Sequence, residues 1–393
     1  MTIVLTVLLV ALLGWLYILC RLTNRVATVA DTVVRLTIVG YVMLLVAPVA
    51  FGVLAWQALP YCDGWMGVNR ARLAANPAAL AAVAMGWAVV LAEVVRRRIA
   101  AYTRHAALAG RVTAQGSAVR SLRGALSWPS RIRTAVYSAA MRIPGNHIGM
   151  VHTFRFDVMF PDLPRTLDGL RIVHLSDFHH SPSLDPAYLT QVVSAANALD
   201  PDLVFLTGDF AHARSDTGVV AALLAPLHAP HGVFFVCGNH DIWHNEKPIV
   251  AALRARGFVH AAGECIPVRI GEVVIHIAGT ERPWRHDTLG TALDRLPESA
   301  FCIALSHHPD NVRLLRRHRV SLVLSGHTHG GQIALPLLGP LLVPSARGSH
   351  HASGFVPYQR TLLYVNHGVS ATMPLRLLCP PEIACLALRR TPA

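Results

Sequence analysis

The chain has 393 residues and a formal net charge of +13, and 53% of its residues are hydrophobic, with a mean hydropathy of +0.43. This composition is unusual for a wholly soluble protein and predicts a membrane part joined to a globular part. The seven cysteines form no Cys-x-x-Cys pair. That pattern argues against a structural zinc motif and a disulfide framework, so we expect the globular part in a reducing compartment.

Three apolar runs occupy the first quarter of the chain, at residues 2–20, 36–59 and 78–95. Each is about as long as a helix that crosses a bilayer, roughly 20 residues. A cleaved signal peptide is an alternative for the first run, although no positive residues precede it, and a buried core helix is an alternative for the third. We expect residues 1–95 to form an all-α membrane region with about three transmembrane helices.

The arginines near these runs predict an orientation. Arg21, Arg25 and Arg35 lie in the first connection, and a block of three arginines, residues 96–98, follows the third run. Positive residues favour the cytoplasmic side of a membrane. We therefore expect a multi-pass protein of the inner (cytoplasmic) membrane with its C-terminal domain in the cytoplasm.

Residues 96–142 contain ten arginines and no acidic residue. Such a segment suits the headgroup layer of an anionic membrane, and a solvated basic linker is the alternative. We expect residues 96–148 to form a basic juxtamembrane linker or interfacial helices. Because the positive charge is concentrated here and away from the histidine-rich region that follows, we expect no nucleic acid as a partner despite a pI near 10.1.

From about residue 149 the pattern is that of an α/β protein. Five short apolar runs end just before Asp, Asn or His side chains, either directly or after one glycine, at residues 170–176, 203–207, 233–237, 301–306 and 321–325. Short continuous apolar runs are typical of strands buried on both faces, and ligands bind beyond the carboxyl ends of such strands. We therefore expect the five ends to present their polar side chains at one edge, called the rim below.

The rim residues come from five short motifs: Asp177-Phe178-His179, Gly208-Asp209, Gly238-Asn239-His240-Asp241, Ser306-His307 and Gly326-His327-Thr328-His329. A single histidine after a strand is usually an ordinary polar residue at a strand end. Divalent metal ions, in contrast, bind imidazole and carboxylate together, and two neighbouring ions need a bridging carboxylate with several flanking ligands. The five motifs together supply that set.

In this order and spacing, the motifs resemble those of the calcineurin-like metallophosphoesterase family, and the longer string from Gly326 to Gln332 is similar to its membrane-associated branch. The resemblance covers residues 149–393. It implies an α/β fold with a two-sheet β-sandwich flanked by helices, and two divalent metal ions (Mn, Fe, Zn or Mg). It further implies the following ligands: Asp177, His179 and His329 for the first metal, Asn239, His307 and His327 for the second, and Asp209 as the bridge.

The same resemblance makes His240 the general acid that holds no metal. Asp241 is expected either to orient the His240 imidazole or to cap a helix. His180 and His308 are minor candidates for contacts with the substrate. The segment Glu281–Trp284 is expected either to line the substrate side or to be a loop packed by its tryptophan.

The function that follows is a membrane-anchored, metal-dependent hydrolase of phosphoester or pyrophosphate bonds. Relatives in the family suggest a lipid-linked substrate such as UDP-2,3-diacylglucosamine, which would suit a membrane as partner. The alternatives are a phosphatase of another envelope lipid, a phosphodiesterase or phosphatase of a soluble nucleotide, and an inactive membrane scaffold. A scaffold should have lost ligands, whereas all seven ligand positions match the motifs.

Overall fold

A computed structural model describes residues 14, 62–63, 67–68, 77–123, 131–180, 184–212, 217–340, 342–370 and 375–391. The predicted membrane spans at residues 2–20 and 36–59 lie outside the described residues, apart from residue 14. The chain divides into two units: unit 1 comprises Met1–Thr103 and Leu335–Gly348, and unit 2 comprises Arg104–Ala334 and Ser349–Ala393.

The strands, in chain order, are β1 Cys62–Asp63, β2 Gly67–Val68, β3 Val112–Ser121, β4 Met150–Phe160, β5 Arg171–Leu175, β6 Leu203–Leu206, β7 Val233–Phe235, β8 Val259–His260, β9 Cys265–Ile270, β10 Val273–Thr280, β11 Phe301–Ser306, β12 Leu322–Ser325, β13 Ala334–Leu335, β14 Gly339–Pro340, β15 Gly354–Tyr358, β16 Thr361–Val365 and β17 Glu382–Arg390. The helices are α1 Pro77–Leu108, α2 Arg131–Met141, α3 Pro186–Asn197, α4 Thr217–Leu224, α5 Asn239–Trp243, α6 Lys247–Arg254, α7 Leu289–Leu293 and α8 Val312–Leu315.

Unit 2 contains two large sheets. The seven-stranded sheet has the order β3-β4-β17-β5-β6-β7-β8, and the six-stranded sheet has the order β15-β16-β12-β11-β10-β9. β5 to β8 are parallel to one another, as are β10, β11, β12 and β16. Parallel strands need crossover connections, and helices make several of them here.

The two sheets pack face to face around a shared core. Alternate residues of each strand point into it, as Ile172 does on β5 and Ile303 and Leu305 do on β11. All three side chains are fully buried. Fully burying a side chain of this size stabilises the fold by about 1.5–3 kcal/mol.

The intervening residues face the outer layers. Val173 and Leu175 pack under the helices α3, α4 and α6, whereas Cys302 and Ala304 pack under α7 and α8. Strands covered on both faces are apolar throughout, which explains the continuous apolar runs in the sequence. The expectation of a mixed α/β fold with two packed sheets and flanking helices is therefore confirmed.

The third predicted span falls within α1, a helix of 32 residues. Its apolar stretch ends at Glu93, a buried carboxylate that pairs with Arg96 and Arg97, and Arg97 also donates to the carbonyl of Pro340 at 3.0 Å. Across the part of the chain that the structure describes, no helix is both long enough and apolar enough to span a bilayer. The predicted multi-pass location in the inner membrane is therefore wrong.

Candidate active site

The rim residues follow the ends of five strands, which belong to two sheets. β5, β6 and β7 belong to the seven-stranded sheet, and β11 and β12 belong to the six-stranded sheet. Each ends within a few residues of a predicted site residue, because short strands with polar residues after them place those residues beyond the sheet edge. The structure brings side chains from both sheets together there.

Asp177, His179 and His329 form one group. The Nε2 atoms of His179 and His329 lie 2.9 Å apart, and Oδ1 of Asp177 lies 3.4 Å from His329 Nε2 and 3.8 Å from His179 Nε2. Asp177 is fully buried and His179 is nearly so. Three ligand atoms thus converge within a space that a single cation can fill.

Asp209 joins this group to a second one. Its Oδ2 atom lies 3.5 Å from Nε2 of His179 and 3.2 Å from Nε2 of His307, while Oδ1 accepts the backbone N–H of His240 at 2.9 Å. A single carboxylate oxygen therefore faces imidazoles from both groups. An oxygen between the two groups is where a ligand shared by two metal ions would lie.

The other two predicted ligands adjoin the second group. The ring centroid of His327 lies 5.0 Å from that of His307, and the His327 backbone N–H donates to the Asp177 carboxylate at 3.0 Å. Asn239 begins α5 and is buried, and its Oδ1 atom has no hydrogen-bond partner among the described residues. A buried acceptor without a donor is rare and calls for a bound group.

The backbone at the rim is strained. Five of the predicted ligands have left-handed backbone geometry, with φ values of 55° at Asp177, 42° at His179, 56° at Asp209, 72° at His327 and 51° at His329. Residues other than glycine adopt this region at a cost of order 1–3 kcal/mol each, and such strain concentrates at functional sites. The fold maintains these conformations because they turn the side chains toward one point.

Glycine is required beside the ligands. A Cβ atom at Gly326 would lie 1.9 Å from Ser176 Oγ and 2.3 Å from Asp177 Oδ2, and one at Gly208, where φ is +89°, would lie 2.3 Å from the backbone nitrogen of Gly238. The Gly326 contact joins the two sheets and the Gly208 contact joins two neighbouring strands of one sheet, and both approaches are possible only without a side chain at the glycine.

His240 projects over the first group. Its ring centroid lies 4.8 Å from that of His179 and 5.6 Å from that of His212, and its side chain is half-buried. His212, three residues after Asp209, was not among the residues predicted from the sequence. The sequence could have identified His212 as a site residue, because it lies only three residues after Asp209 and so at the same strand end.

The Asp241 side chain accepts hydrogen bonds from backbone N–H groups. Its carboxylate accepts the N–H groups of Asp209 at 2.8 Å, Phe210 at 2.9 Å and Gly238 at 2.9 Å. The contact with Gly238, the residue before α5, forms part of a capping box in which Asp241 is the third helical residue. These bonds support the capping alternative and tie the Gly208-Asp209 turn to α5.

The two minor candidates occupy different positions. His180 is buried, its backbone N–H donates to Phe210 O at 2.9 Å, and the segment is paired with the turn after Asp209. His308 is also buried, its ring centroid lies 4.8 Å from that of His327, and its Nδ1 accepts the backbone N–H of Asp310 at 3.2 Å. His308 therefore lies beside the second group.

Arg376 was not predicted from the sequence. Its guanidinium is fully buried and donates to the carbonyls of His329 at 3.0 Å, His367 at 2.8 Å, Gly368 at 3.2 Å and Ser370. One planar cation thus ties the end of the Gly326–Gln332 string to the loop after β16. No local sequence pattern marks this role.

Two comparisons bear on identity. The family model for calcineurin-like phosphoesterases matches residues 170–331. The uncharacterized metallophosphoesterase YkuE of Bacillus subtilis is 35% identical over 252 residues, which cover 62% of this chain and 87% of the relative. This chain belongs to the calcineurin-like metallophosphoesterase family.

Two other relatives have names that state an activity. The UDP-2,3-diacylglucosamine pyrophosphatase LpxG of Chlamydia trachomatis is 29% identical over 302 residues, covering 61% of this chain and 90% of the relative. The phosphodiesterase YaeI of Escherichia coli is 25% identical over 225 residues, covering 56% of this chain and 82% of the relative. Membership in the family makes the chain a hydrolase of phosphoester bonds, as predicted.

Metallophosphoesterases of this family hold two metal ions, and the rim fits such a pair. Asn239 Oδ1 has no hydrogen-bond partner among the described residues, and His307 Nε2 faces the Asp209 carboxylate at 3.2 Å. Two triads that share Asp177 lie at the rim, one completed by His179 and His329 and the other by Asp209 and His307. Imidazole, carboxylate and amide donors together suit borderline divalent cations.

The electrostatics of the rim also suit metal binding. Burial lowers the pKa of His179 and of His329 to about 3, so both imidazoles are neutral and keep a lone pair for a metal. At His307 burial disfavours the charged ring, but the Asp209 carboxylate outweighs it and raises the pKa of His307 to about 9. A cation placed there would replace this proton as the partner of Asp209.

Proposed function

We propose that this chain is a dinuclear metal-dependent hydrolase in which Asp209 bridges the two ions. The observation that carries the proposal is the position of Asp209 Oδ2, which lies 3.5 Å from the imidazole of His179 and 3.2 Å from that of His307. The remaining ligands would be Asp177 and His329 on the first side. On the second side they would be Asn239 and His327.

When bound, the two ions would neutralise the phosphoryl oxygens and acidify the attacking water. The residues of the chain determine how the ligands are held in position. The buried, strained ligand backbone keeps both ligand sets in position before substrate arrives, so little reorganisation is needed during the reaction. The Arg376 guanidinium holds the carbonyl of His329 from behind and thereby supports the first set.

His240 would act as the general acid. In the reaction the attacking water gives up a proton to solvent and its oxygen forms a bond to phosphorus, the bond from phosphorus to the leaving oxygen breaks, and the leaving oxygen takes a proton from the protonated His240 imidazole, which solvent then reprotonates. His240 suits this role because its side chain is only half-buried and lies over the first group. Its backbone N–H donates to Asp209 Oδ1 at 2.9 Å, which positions the residue.

For the substrate we propose a lipid-linked pyrophosphate or phosphoester. The support is the likeness to the Chlamydia trachomatis relative, whose name states a UDP-2,3-diacylglucosamine pyrophosphatase. A soluble phosphodiester is the second candidate, supported by the likeness to the Escherichia coli phosphodiesterase. An inactive scaffold fits less well, because all seven ligand positions are intact.

Asp209→Asn tests the dinuclear centre. The amide lacks the charge that a bridging ligand supplies, so the variant should lose both ions together when the metal content of the purified protein is measured by mass spectrometry. Asp202→Asn is the matched control. Asp202 lies just before β6, at the strand's opposite end from Asp209, and accepts the backbone N–H of Arg171 at 2.7 Å. Two tightly bound ions in Asp209→Asn would contradict the bridge.

The substrate is tested separately. Metal-loaded protein is assayed with manganese against UDP-2,3-diacylglucosamine, a bis-aryl phosphodiester and nucleotide phosphodiesters. Hydrolysis of the lipid-linked pyrophosphate at a kcat/KM well above that of the soluble esters would support the first candidate. The reverse order would support the second and leave the dinuclear centre intact.

A further inference from the structure

The loop between β10 and α7 places a tryptophan over the second ligand group. The ring centroid of Trp284 lies 5.2 Å from that of His327, 5.7 Å from that of His307 and 5.5 Å from that of His308. The first two histidines are the proposed ligands of the second metal. Trp284 is the aromatic residue that covers this side of the rim.

The loop that carries Trp284 is tied down on both sides. Before the tryptophan, Glu281 accepts the backbone N–H of Cys237 at 2.8 Å, and the carbonyl of Arg282 accepts from Asn311 Nδ2 at 2.6 Å. After it, the Asp287 carboxylate accepts from Thr280 Oγ1 at 2.5 Å. The indole is therefore held over the histidines by the loop's own hydrogen bonds and is positioned in advance of any ligand.

The indole nitrogen is buried and has no hydrogen-bond partner among the described residues. Indole nitrogen is a donor only, and a buried donor without an acceptor destabilises the fold. Buried tryptophan nitrogens usually find a partner. The Trp284 ring lies against the rings of His307 and His327, so a ligand bound at the second group would lie beside the indole and would supply the missing acceptor.

We propose that the Trp284 N–H donates a hydrogen bond to a non-bridging oxygen of the phosphoryl group bound at the rim. This inference rests on the proposed function, because the phosphoryl group has to lie against the second metal's ligands. An anionic phosphoryl oxygen is a strong acceptor, and a hydrogen bond to a charged group is worth more than one between neutral groups. Trp284 is thus a substrate-binding residue that positions the reacting group.

The test uses inorganic phosphate as the probe and protein loaded with Zn²⁺, which is not paramagnetic and so preserves NMR signals. The chain has seven tryptophans, so labelling with ¹⁵N-tryptophan yields few indole N–H resonances. The Trp284 resonance is assigned by its loss in Trp284→Phe. Adding phosphate should shift this resonance downfield, as expected for a new hydrogen bond, in the wild-type chain itself.

Affinity supplies the second readout. Trp284→Phe keeps an aromatic ring but removes the donor, and it should weaken phosphate binding in calorimetry roughly ten- to hundredfold. The matched control is Trp243→Phe, since the Trp243 ring lies 5.2 Å from that of His240, on the other side of the rim. The control should bind phosphate as the wild type does, and both variants should hold the same amount of zinc.

The outcomes separate the inference from the proposed function. If wild-type protein binds zinc and phosphate but the Trp284 indole resonance does not move, the donor role is wrong. The same holds if Trp284→Phe keeps full affinity while Trp284→Ala loses it, because the tryptophan then acts by packing alone. If wild-type protein binds neither two zinc ions nor phosphate, the dinuclear centre itself fails.

Discussion

Replacing the buried arginine behind the rim should weaken both the fold and the first metal site. In Arg376→Met the side chain keeps its length but loses all its donors. The carbonyls of His329 and Gly368 also accept backbone N–H groups, from Gln332 and Glu382, whereas among the described residues those of His367 and Ser370 depend on the guanidinium. The carbonyls of Ser370, which is buried, and of His367, which is half-buried, at about 2 kcal/mol each amount to a loss of about 4 kcal/mol.

This loss is measurable by urea unfolding of the metal-free protein, followed by circular dichroism. With a slope of about 1–3 kcal/mol per molar urea, 4 kcal/mol lowers the midpoint by more than about 1 M. The variant should also retain less metal, because the His329 carbonyl loses one of its two hydrogen-bond donors.

The matched control is Arg389→Met. Arg389 is 40% exposed and pairs with Asp157 at 3.1 Å. An exposed ion pair of this kind contributes about 0–1 kcal/mol. If the two variants unfold at the same urea concentration, the hydrogen bonds of Arg376 do not stabilise the fold and the reasoning from buried carbonyls is refuted.

Two further predictions concern histidines. His240→Asn should keep its metal content yet slow the hydrolysis of alkyl esters by about 10²–10⁴-fold, with a smaller loss for aryl esters whose leaving group needs little protonation; equal losses on both would contradict a general acid. The second concerns His174, whose Nε2 lies 2.9 Å from Thr207 Oγ1 in the core and whose pKa burial lowers to about 3. Because the unfolded chain binds a proton near pH 6.5 and the folded one does not, this residue's contribution to stability is present above pH 6.5 and is lost as the pH falls toward 3, at about 1.4 kcal/mol per unit. Between pH 6.5 and 5, His174→Gln should reduce the slope of the unfolding free energy against pH by about 1.4 kcal/mol per pH unit. The control His228→Gln, at an exposed site, should leave the slope unchanged. An unchanged slope in His174→Gln would show that the buried imidazole is not the cause.

The sequence by itself determined the fold class, the family and the residues worth testing. Short apolar runs that end in Asp, Asn or His are local patterns, and parallel strands must present their carboxyl ends at one sheet edge. For that reason the motifs around Asp177 and Asp209, which follow neighbouring strands of one sheet, could be predicted to meet without knowing the packing. That His307 meets them depends on how the second sheet packs against the first. The glycines beside them were visible for the same reason, since tight turns have a local signature.

Apolar content, in contrast, predicted the location poorly. The run at residues 78–95 has the length of a membrane span, but in the structure it belongs to a longer helix that continues through Glu93 and three arginines. Run length measures only local apolarity. It does not determine how a helix is used.

Only the tertiary structure decided which residues support the rim. Arg376 reaches His329 across 47 residues of chain, and Asp241 binds the turn at Asp209 across 32. His212 faces His240 from another strand end, and Trp284 covers His327 from a loop 43 residues earlier in the chain. These contacts depend on the packing of two sheets against each other, and no periodicity or short motif encodes a distance between segments so far apart in sequence.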